Sequence, residues 1–576
     1  MSRHVMIRAM RAIMIASLIG CVSLGLLGWA GYRATAPSDT LLSRQVPAGA
    51  LLYLQAKDFS ALLADWNKSP QKQAWLNSSN YEVFSRSRLL LRLKDAEKQF
   101  ATAAGIPSDM NFLSQVAGDE SALALYDIGK LQFVYITRLQ AANVTQNQLW
   151  QTREKFETRS AGGVTFYLRR DPESQREVEF ALSGSYLLLA TREDLMASAL
   201  ELIAGGKGPT AESEPWFTQS VAAAGPAGDL RLVLNLEKIV PSSYFRSYWV
   251  QQNITDMKSY SAAVSDLFRS GKEYREERVL LKKAGGGNSP GDESEAVADL
   301  IRLVPEGAGL YEAQPCLSID PCLDLLETKL LAPHAGPVPP GQLAPQVQQG
   351  SSETGSSSDL ETRIDQAPPQ NTSGGDGSSG LKTLLQKSQV SAALHVQSTD
   401  RDGAGVFVRL HTAVALAGTS DWDESAVRSA LASFVRPVLT ASELGVGWKQ
   451  RSGFYEFDGL HPLNAAVRGK YLLISDDPAL ITGMLANMNR QSDLKPAVFV
   501  AEFDHQRERE NFSRLVTVVD RPELGSNVIG NGRQPQFLSE NIASLSATLA
   551  AVSSEKIVVR DARDRVLQTV TYRWSQ

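Results

Sequence analysis

One strand, turn and helix is spelled twice in this chain. Gly184 to Gly205 reads GSYLLLATREDLMASALELIAG, and Gly469 to Asn489 reads GKYLLISDDPALITGMLANMN. Each opens with a glycine turn and a short apolar run, the pattern of a buried strand. Apolar residues then recur at helical spacing, with Leu195, Ala199 and Leu202 forming an inner face in the first copy. Thr191 is expected to cap the first helix, with Asp194 three residues on in a capping-box pattern that has Asp for Glu or Gln. In the second copy Asp476 takes the cap position and Pro478 the first turn, where proline is tolerated. What recurs is core and caps, so the repetition preserves a fold rather than a set of reactive side chains.

Four further pairs keep the same order. Val46–Tyr53 matches Val304–Tyr311, and Phe166-Tyr167 matches Phe454-Tyr455. The stretch from Tyr260 matches that from Leu545, and Glu277–Leu280 matches Asp564–Leu567. Collinear matches at offsets of 258 to 288 residues point to a tandem duplication of a unit of about 240 residues, too long for a solenoid repeat. The expected units are 46–283 and 297–576, joined by a Gly/Pro/acidic linker at 284–296. A Pro/Gly/Ser/Gln-rich insert at 333–380 interrupts the second unit. Its composition offers little to a core, so it is expected to be disordered. Runs such as SALALYDI, LQFVYITRL and VTFYLRR, separated by short turns, predict antiparallel hairpins and meanders. An amphipathic helix is expected within 81–104, with Leu89, Leu93, Ala96, Phe100 and Ala103 on one face.

The N-terminus predicts where the protein sits. Ala12 to Tyr32 is 21 residues without a charge, enough for a helix to span a bilayer core of about 30 Å. Arg3, Arg8 and Arg11 precede it and Arg33 follows, so residues 1–36 read as a cytoplasmic stub and transmembrane anchor. Arg11, Trp29, Tyr32 and Arg33 fall at the expected membrane interfaces, and the rest of the chain lies outside the cytoplasm. Two other readings end in the same place. Ala34-Thr35-Ala36 has the spacing of a signal cleavage site, with Pro37 against it. Leu18-Ile19-Gly20-Cys21 resembles a lipobox that would lipidate Cys21, although an apolar stretch follows where lipoproteins turn polar.

Only Cys316 and Cys322 remain beyond Cys21, and in an oxidising compartment they are expected to form a disulfide. Two further ligands for a zinc site are missing. No histidine falls in 46–283, which excludes a histidine site duplicated with the fold. His395 and His411 lie on predicted neighbouring strands and read as hydrogen-bonded sheet residues. There is no Gly-x-Ser-x-Gly elbow. The Ser-x-x-Lys spacings at Ser69, Ser379 and Ser553 lack the Lys-Thr-Gly partner motif. Gly375–Gly380 misplaces the lysine of a phosphate loop, and 525–532 reads as a turn. The adjacent carboxylates Asp119/Glu120 and Asp476/Asp477 point apart on a strand or are solvated at a cap, which argues against paired acid–base work. Arg86, Arg88 and Arg92 read as a solvated helix face, with leaning on anionic lipid as the alternative. The net charge of −5 argues against nucleic acid as a partner.

The pattern VPAGALLYLQAKDF behind one N-terminal anchor resembles a group of uncharacterised bacterial membrane-anchored envelope proteins classed as a domain of unknown function. That resemblance implies no activity, cofactor or catalytic residue. The expected architecture is an α+β protein: an N-terminal transmembrane helix followed by two duplicated domains of antiparallel sheet with packed helices. The expected role is a non-enzymatic binding or scaffolding module of the envelope, without cofactor, meeting the membrane through its first helix and a protein partner or lipid beyond it. A carrier of lipid or another apolar ligand, and a hydrolase with an unlocated carboxylate site, are the alternatives.

Overall fold

The computed structural model describes residues 42–77, 81, 85–86, 88–106, 110–139, 147–242, 257–271, 273–283, 292–331, 376–401, 408–439, 447–457, 463–511 and 552–574. The expected anchor, with Arg11, Cys21, Trp29, Tyr32 and Arg33, lies outside them. Among the described residues no helix is long and apolar enough to cross a membrane. Two compact bodies emerge. The middle body is formed by the described residues of Gly291–Ala501, and the N-terminal body combines the described residues before Pro290 with those of Glu502–Gln576.

The N-terminal body is built on β1 (Leu52–Ala56), β2 (Glu120–Asp127), β3 (Gln132–Arg138), β4 (Glu157–Ala161), β5 (Val164–Arg170), β6 (Glu177–Ser183), β7 (Tyr186–Ala190), β8 (Leu230–Asn235), β9 (Tyr260–Arg269) and β10 (Glu273–Lys282). All pair antiparallel, in the order β4-β5-β6-β7-β3-β2-β1-β8-β9-β10. Period-2 alternation sends Val134, Ile136, Leu188 and Ala190 to one face, where they pack with Leu195, Met196 and Ala199 of the helix Glu193–Ile203. Leu187, Leu189 and Phe180 go to the other face, against Ala101, Ala103 and Phe100 of the helix Arg88–Ala104. With both faces covered, strands such as β7 are apolar throughout rather than alternating.

The middle body contains β11 (Leu310–Pro315), β12 (Val390–Arg401), β13 (Val408–Gly418), β14 (Trp448–Gln450), β15 (Tyr455–Phe457), β16 (Leu463–Arg468) and β17 (Tyr471–Ser475). Their antiparallel order is β14-β15-β16-β17-β13-β12-β11, the order of β4 to β1 again. The body ends in the first half of β18 (Phe499–Asp504), which pairs with β11. The registers agree too. Tyr53 faces Ala124, Ala124 faces Val134 and Val134 faces Ala190. Tyr311 faces Val396, Val396 faces Ala413 and Ala413 faces Ser475. Aligning Gly184 with Gly469 therefore brings Tyr53 onto Tyr311 through three strand pairings. Two glycine positions recur because both bodies need a left-handed turn residue: φ is +59° at Gly184 and +54° at Gly469, +97° at Gly49 and +86° at Gly307.

The matches inferred from sequence fare unequally. Phe166-Tyr167 and Phe454-Tyr455 agree with the register, since Tyr167 faces Phe180 and Tyr455 faces the aligned Ala465. The stretch from Leu545 lies almost wholly outside the described residues. Glu277–Leu280 and Asp564–Leu567 are out of register: Glu277 is in mid-strand, whereas Asp564 is in the turn before β20 (Arg565–Trp574). That last strand and β19 (Val552–Asp561) form a hairpin added to β10, so the end of the expected second unit, 297–576, sits in the sheet of the N-terminal body. Of the expected disordered insert, residues 376–380 are the start of a helix, Asp376–Lys387, and the preceding part lies outside the described residues. The helix expected within 81–104 is described as Arg88–Ala104.

The caps fall one residue later than expected. Arg192 is the N-cap of Glu193–Ile203 and makes no capping bond with its side chain; Asp477 caps Pro478–Ala486 by accepting from the N–H groups of Ala479 and Leu480. Thr191 and Asp476 instead tie the helix start to the sheet. The Phe133 N–H donates to Thr191 Oγ1 at 3.0 Å, and the Thr412 N–H donates to Asp476 Oδ1 at 2.7 Å. One chemistry replaces another at an equivalent position.

Candidate functional site

Three features of the middle body carry chemistry. The first is an open groove of about 550 Å³ between the helix Asp292–Ile301 and the segment after Pro478–Ala486. Ala497 N–H donates to the Ser294 carbonyl at 3.1 Å and fastens that segment along the helix. Met488 and Leu494 supply apolar lining, while Glu295, Asp299, Arg302 and Arg490 supply charge. Asp299 is held rigidly: Arg302 Nε donates to it at 2.7 Å and the Tyr471 hydroxyl donates to its other oxygen. Arg302 also lies over the Tyr471 ring at 5.1 Å. Burial pushes the Asp299 carboxyl up, but the Tyr471 hydroxyl and Arg302 outweigh it and hold the group below its ordinary range. Glu295 and Arg490 are exposed, leaving one charge of each sign accessible.

The second feature lies where Asp477 caps its helix. His411 on β13 has Nδ1 3.0 Å from Asp477 Oδ2 and Nε2 3.1 Å from Asp400 Oδ2. Asp476 beside it is pushed up to about 6, mainly by burial and against the Thr412 N–H and His411. The expectation that Asp476 and Asp477 are merely solvated at the cap is therefore corrected: the side chain of Asp477 is 19% exposed and Asp476 is mostly enclosed. The two carboxylates on His411 lie at opposite ring nitrogens and do not converge on one point. No group of histidine, cysteine and carboxylate ligands among the described residues is arranged to hold a metal ion. The corresponding pair in the N-terminal body is Arg192 donating to Gln132 at 3.0 Å.

The third feature is buried. Glu312 and His395 face each other across β11 and β12. His395 is 1% exposed and neither ring nitrogen has a hydrogen-bond partner among the described residues, contrary to the hydrogen-bonded histidine expected there. Burial, with Lys329 adding to it, lowers the imidazole to about 3 and keeps it neutral. Burial raises the Glu312 carboxyl, which Lys329 only partly offsets. The equivalent positions in the N-terminal body are Leu54 and Leu123, an apolar pair in the same register.

The remaining predicted residues are quickly placed. Cys316 and Cys322 are joined in a disulfide with Cα atoms 5.9 Å apart, packed against Leu325, Leu326 and Leu385. Arg86 is exposed, and the side chains of Arg88 and Arg92 lie outside the described residues. Two polar residues escaped the sequence reading. Glu179 and Asn464 occupy equivalent positions on β6 and β16, and both are fully buried. Asn464 donates to the Ser475 carbonyl at 3.2 Å, whereas neither oxygen of Glu179 has a partner among the described residues. Their signal is a polar residue inside an otherwise apolar run that has no solvent face.

No family model matches this chain, and no curated protein does. Among solved structures, three crystal forms of TP0453 align with it. Form I is 11% identical with a TM-score of 0.25, covering 45% of this chain and 83% of that one. Form IV is 12% identical with a TM-score of 0.23, over 42% and 79%. Form III is 11% identical with a TM-score of 0.23, over 48% and 89%. At those scores the likeness carries no functional inference.

Proposed function

We propose that this protein is a membrane-tethered, extracytoplasmic module of the bacterial envelope with a non-enzymatic binding or scaffolding role. The uncharged run Ala12 to Tyr32 supports the tether, and the arginines before it support the orientation. Equal strand order and register in the two bodies support their origin by duplication of one α+β unit. The observation that carries the binding reading is the groove of the middle body. It is open, partly apolar at Met488 and Leu494, and presents Glu295 and Arg490 to solvent above a fixed Asp299–Arg302–Tyr471 cluster. Such a surface suits a polar or peptide-like partner; an apolar cargo would call for an enclosed apolar cavity. Site-specific photocrosslinking from position 295 in native membranes tests this. A discrete adduct is expected, and Arg490→Glu should remove it. The same adducts from a probe at the exposed Gln175 of the other body would sink the proposal.

A further inference from the structure

The hairpin β19–β20 and the hairpin β9–β10 are the same object by geometry. Each has two ten-residue strands joined by three residues, Tyr260–Lys282 and Val552–Trp574. Each turn closes the same way: Ser270 N–H donates to the Glu273 carbonyl at 2.8 Å, and Ala562 N–H to the Arg565 carbonyl at 2.8 Å. Glu273 therefore corresponds to Arg565, and Glu277 to Thr569.

In the seam between β10 and β20, Glu273 faces Arg573, Glu277 faces Thr569 and Leu281 faces Arg565. Exchanging each residue for its counterpart turns the first of these pairs into the last and leaves the central pair unchanged. All nine pairs of the seam obey this rule. A contact in which i meets j and j meets i is isologous, the arrangement of a two-fold dimer interface.

We propose that the β10–β20 seam is an internalised isologous contact, so that the edge of β10 recognises a second copy of its own hairpin. Without β19–β20, β10 is an open sheet edge, a template for pairing. In the register of the seam, β10 against β10 places Glu276 opposite Arg278 on both sides of the axis and Tyr274 opposite Leu280. Only Glu277 meets its own kind, a modest like-charge penalty at one position. The occupant is specified by the symmetry itself: the strand now on that edge is the structural counterpart of the strand it covers.

Two altered chains, one of full length and one shortened, purified in detergent, test this. In the first, Val552–Trp574 is replaced by a second Tyr260–Lys282, a graft of equal length. The amides of β10 should keep their protection from hydrogen exchange, and Glu277→Cys placed in both copies of the hairpin should oxidise to an internal disulfide, as Glu277→Cys with Thr569→Cys should in the parent chain. Loss of β10 protection with both thiols free would overturn the proposal. In the second, the chain ends at Ala551. Sedimentation should show a mass that doubles with concentration, and Glu277→Cys should trap the dimer through residue 277 of both molecules. A monomer that keeps the parent circular dichroism across that range would overturn it; if the shortened chain does not fold, the graft decides.

Discussion

Replacing Glu179 by Gln should stabilise the N-terminal body, by an amount that depends on pH. Glu179 is 0% exposed, lies among Leu168, Ala181 and Ala190, and has no hydrogen-bond partner on either oxygen among the described residues. The nearest compensation is the backbone N–H of Arg192, short of a hydrogen bond. Burial, reinforced by the neighbouring charge of Glu177, pushes its carboxyl up to about 9 from an ordinary 4.5. The native state therefore keeps a proton that the unfolded chain sheds above its own pKa. Stability falls as pH rises through that window, and the loss levels off once the native group also ionises. From 4.5 to neutral pH, at ~1.4 kcal/mol per pH unit, holding the proton costs about 3 kcal/mol. Gln removes this cost with little change in shape, and the equivalent position already carries an amide, Asn464. Urea unfolding of the chain from Pro37 onward, followed by circular dichroism at about pH 4 and about pH 7, should show near-equality at the lower pH. At the higher pH Glu179→Gln should gain up to about 3 kcal/mol. A variant no more stable than the parent at neutral pH would show that burial of Glu179 does not hold its carboxyl protonated at a cost to folding.

Reducing the Cys316–Cys322 bridge, or substituting both cysteines by Ala, should cost about 2 kcal/mol in the middle body, the loop-entropy value for so short a loop; denaturation with and without reductant measures it. Arg231→Met should destabilise the N-terminal body by about 3–5 kcal/mol, because Arg231 donates to Asp266 at 2.8 and 2.7 Å and both side chains are almost fully buried, leaving Asp266 an unpaired charge; urea titration against the parent reads the loss. Asp477→Ala should cost about 1 kcal/mol by removing the cap of Pro478–Ala486, whereas Arg192→Ala loses no capping bond and should cost less; hydrogen exchange in the two helices compares them directly.

The strands and their repetition were legible because burial on both faces writes continuous apolar runs, and because Gly184, Gly469, Gly49 and Gly307 mark turns that need positive φ. The caps were misplaced by one residue because Thr191 and Asp476 look like N-caps locally. Their bonds to Phe133 and Thr412 belong to a strand some sixty residues away. The seat of the C-terminal hairpin was not legible at all. Strand pairing across nearly 300 residues leaves no periodic trace, and the short likeness of Glu277–Leu280 to Asp564–Leu567 proved out of register. The groove is formed by two segments nearly 200 residues apart, each ordinary on its own. His395 was seen as a sheet residue, but its burial opposite Glu312 and within the field of Lys329 is created only by the folded middle body.

We propose that the groove of the middle body, lined by Glu295, Arg302 and Arg490 beside Met488 and Leu494, receives a polar or peptide-like partner rather than an enclosed apolar cargo. Native mass spectrometry of the region from Pro37 to Gln576, exported to a bacterial periplasm and purified without detergent, tests it most directly. The predicted spectrum shows the mass of the chain alone. A stoichiometric added mass matching a lipid would contradict the claim and identify the protein as a carrier.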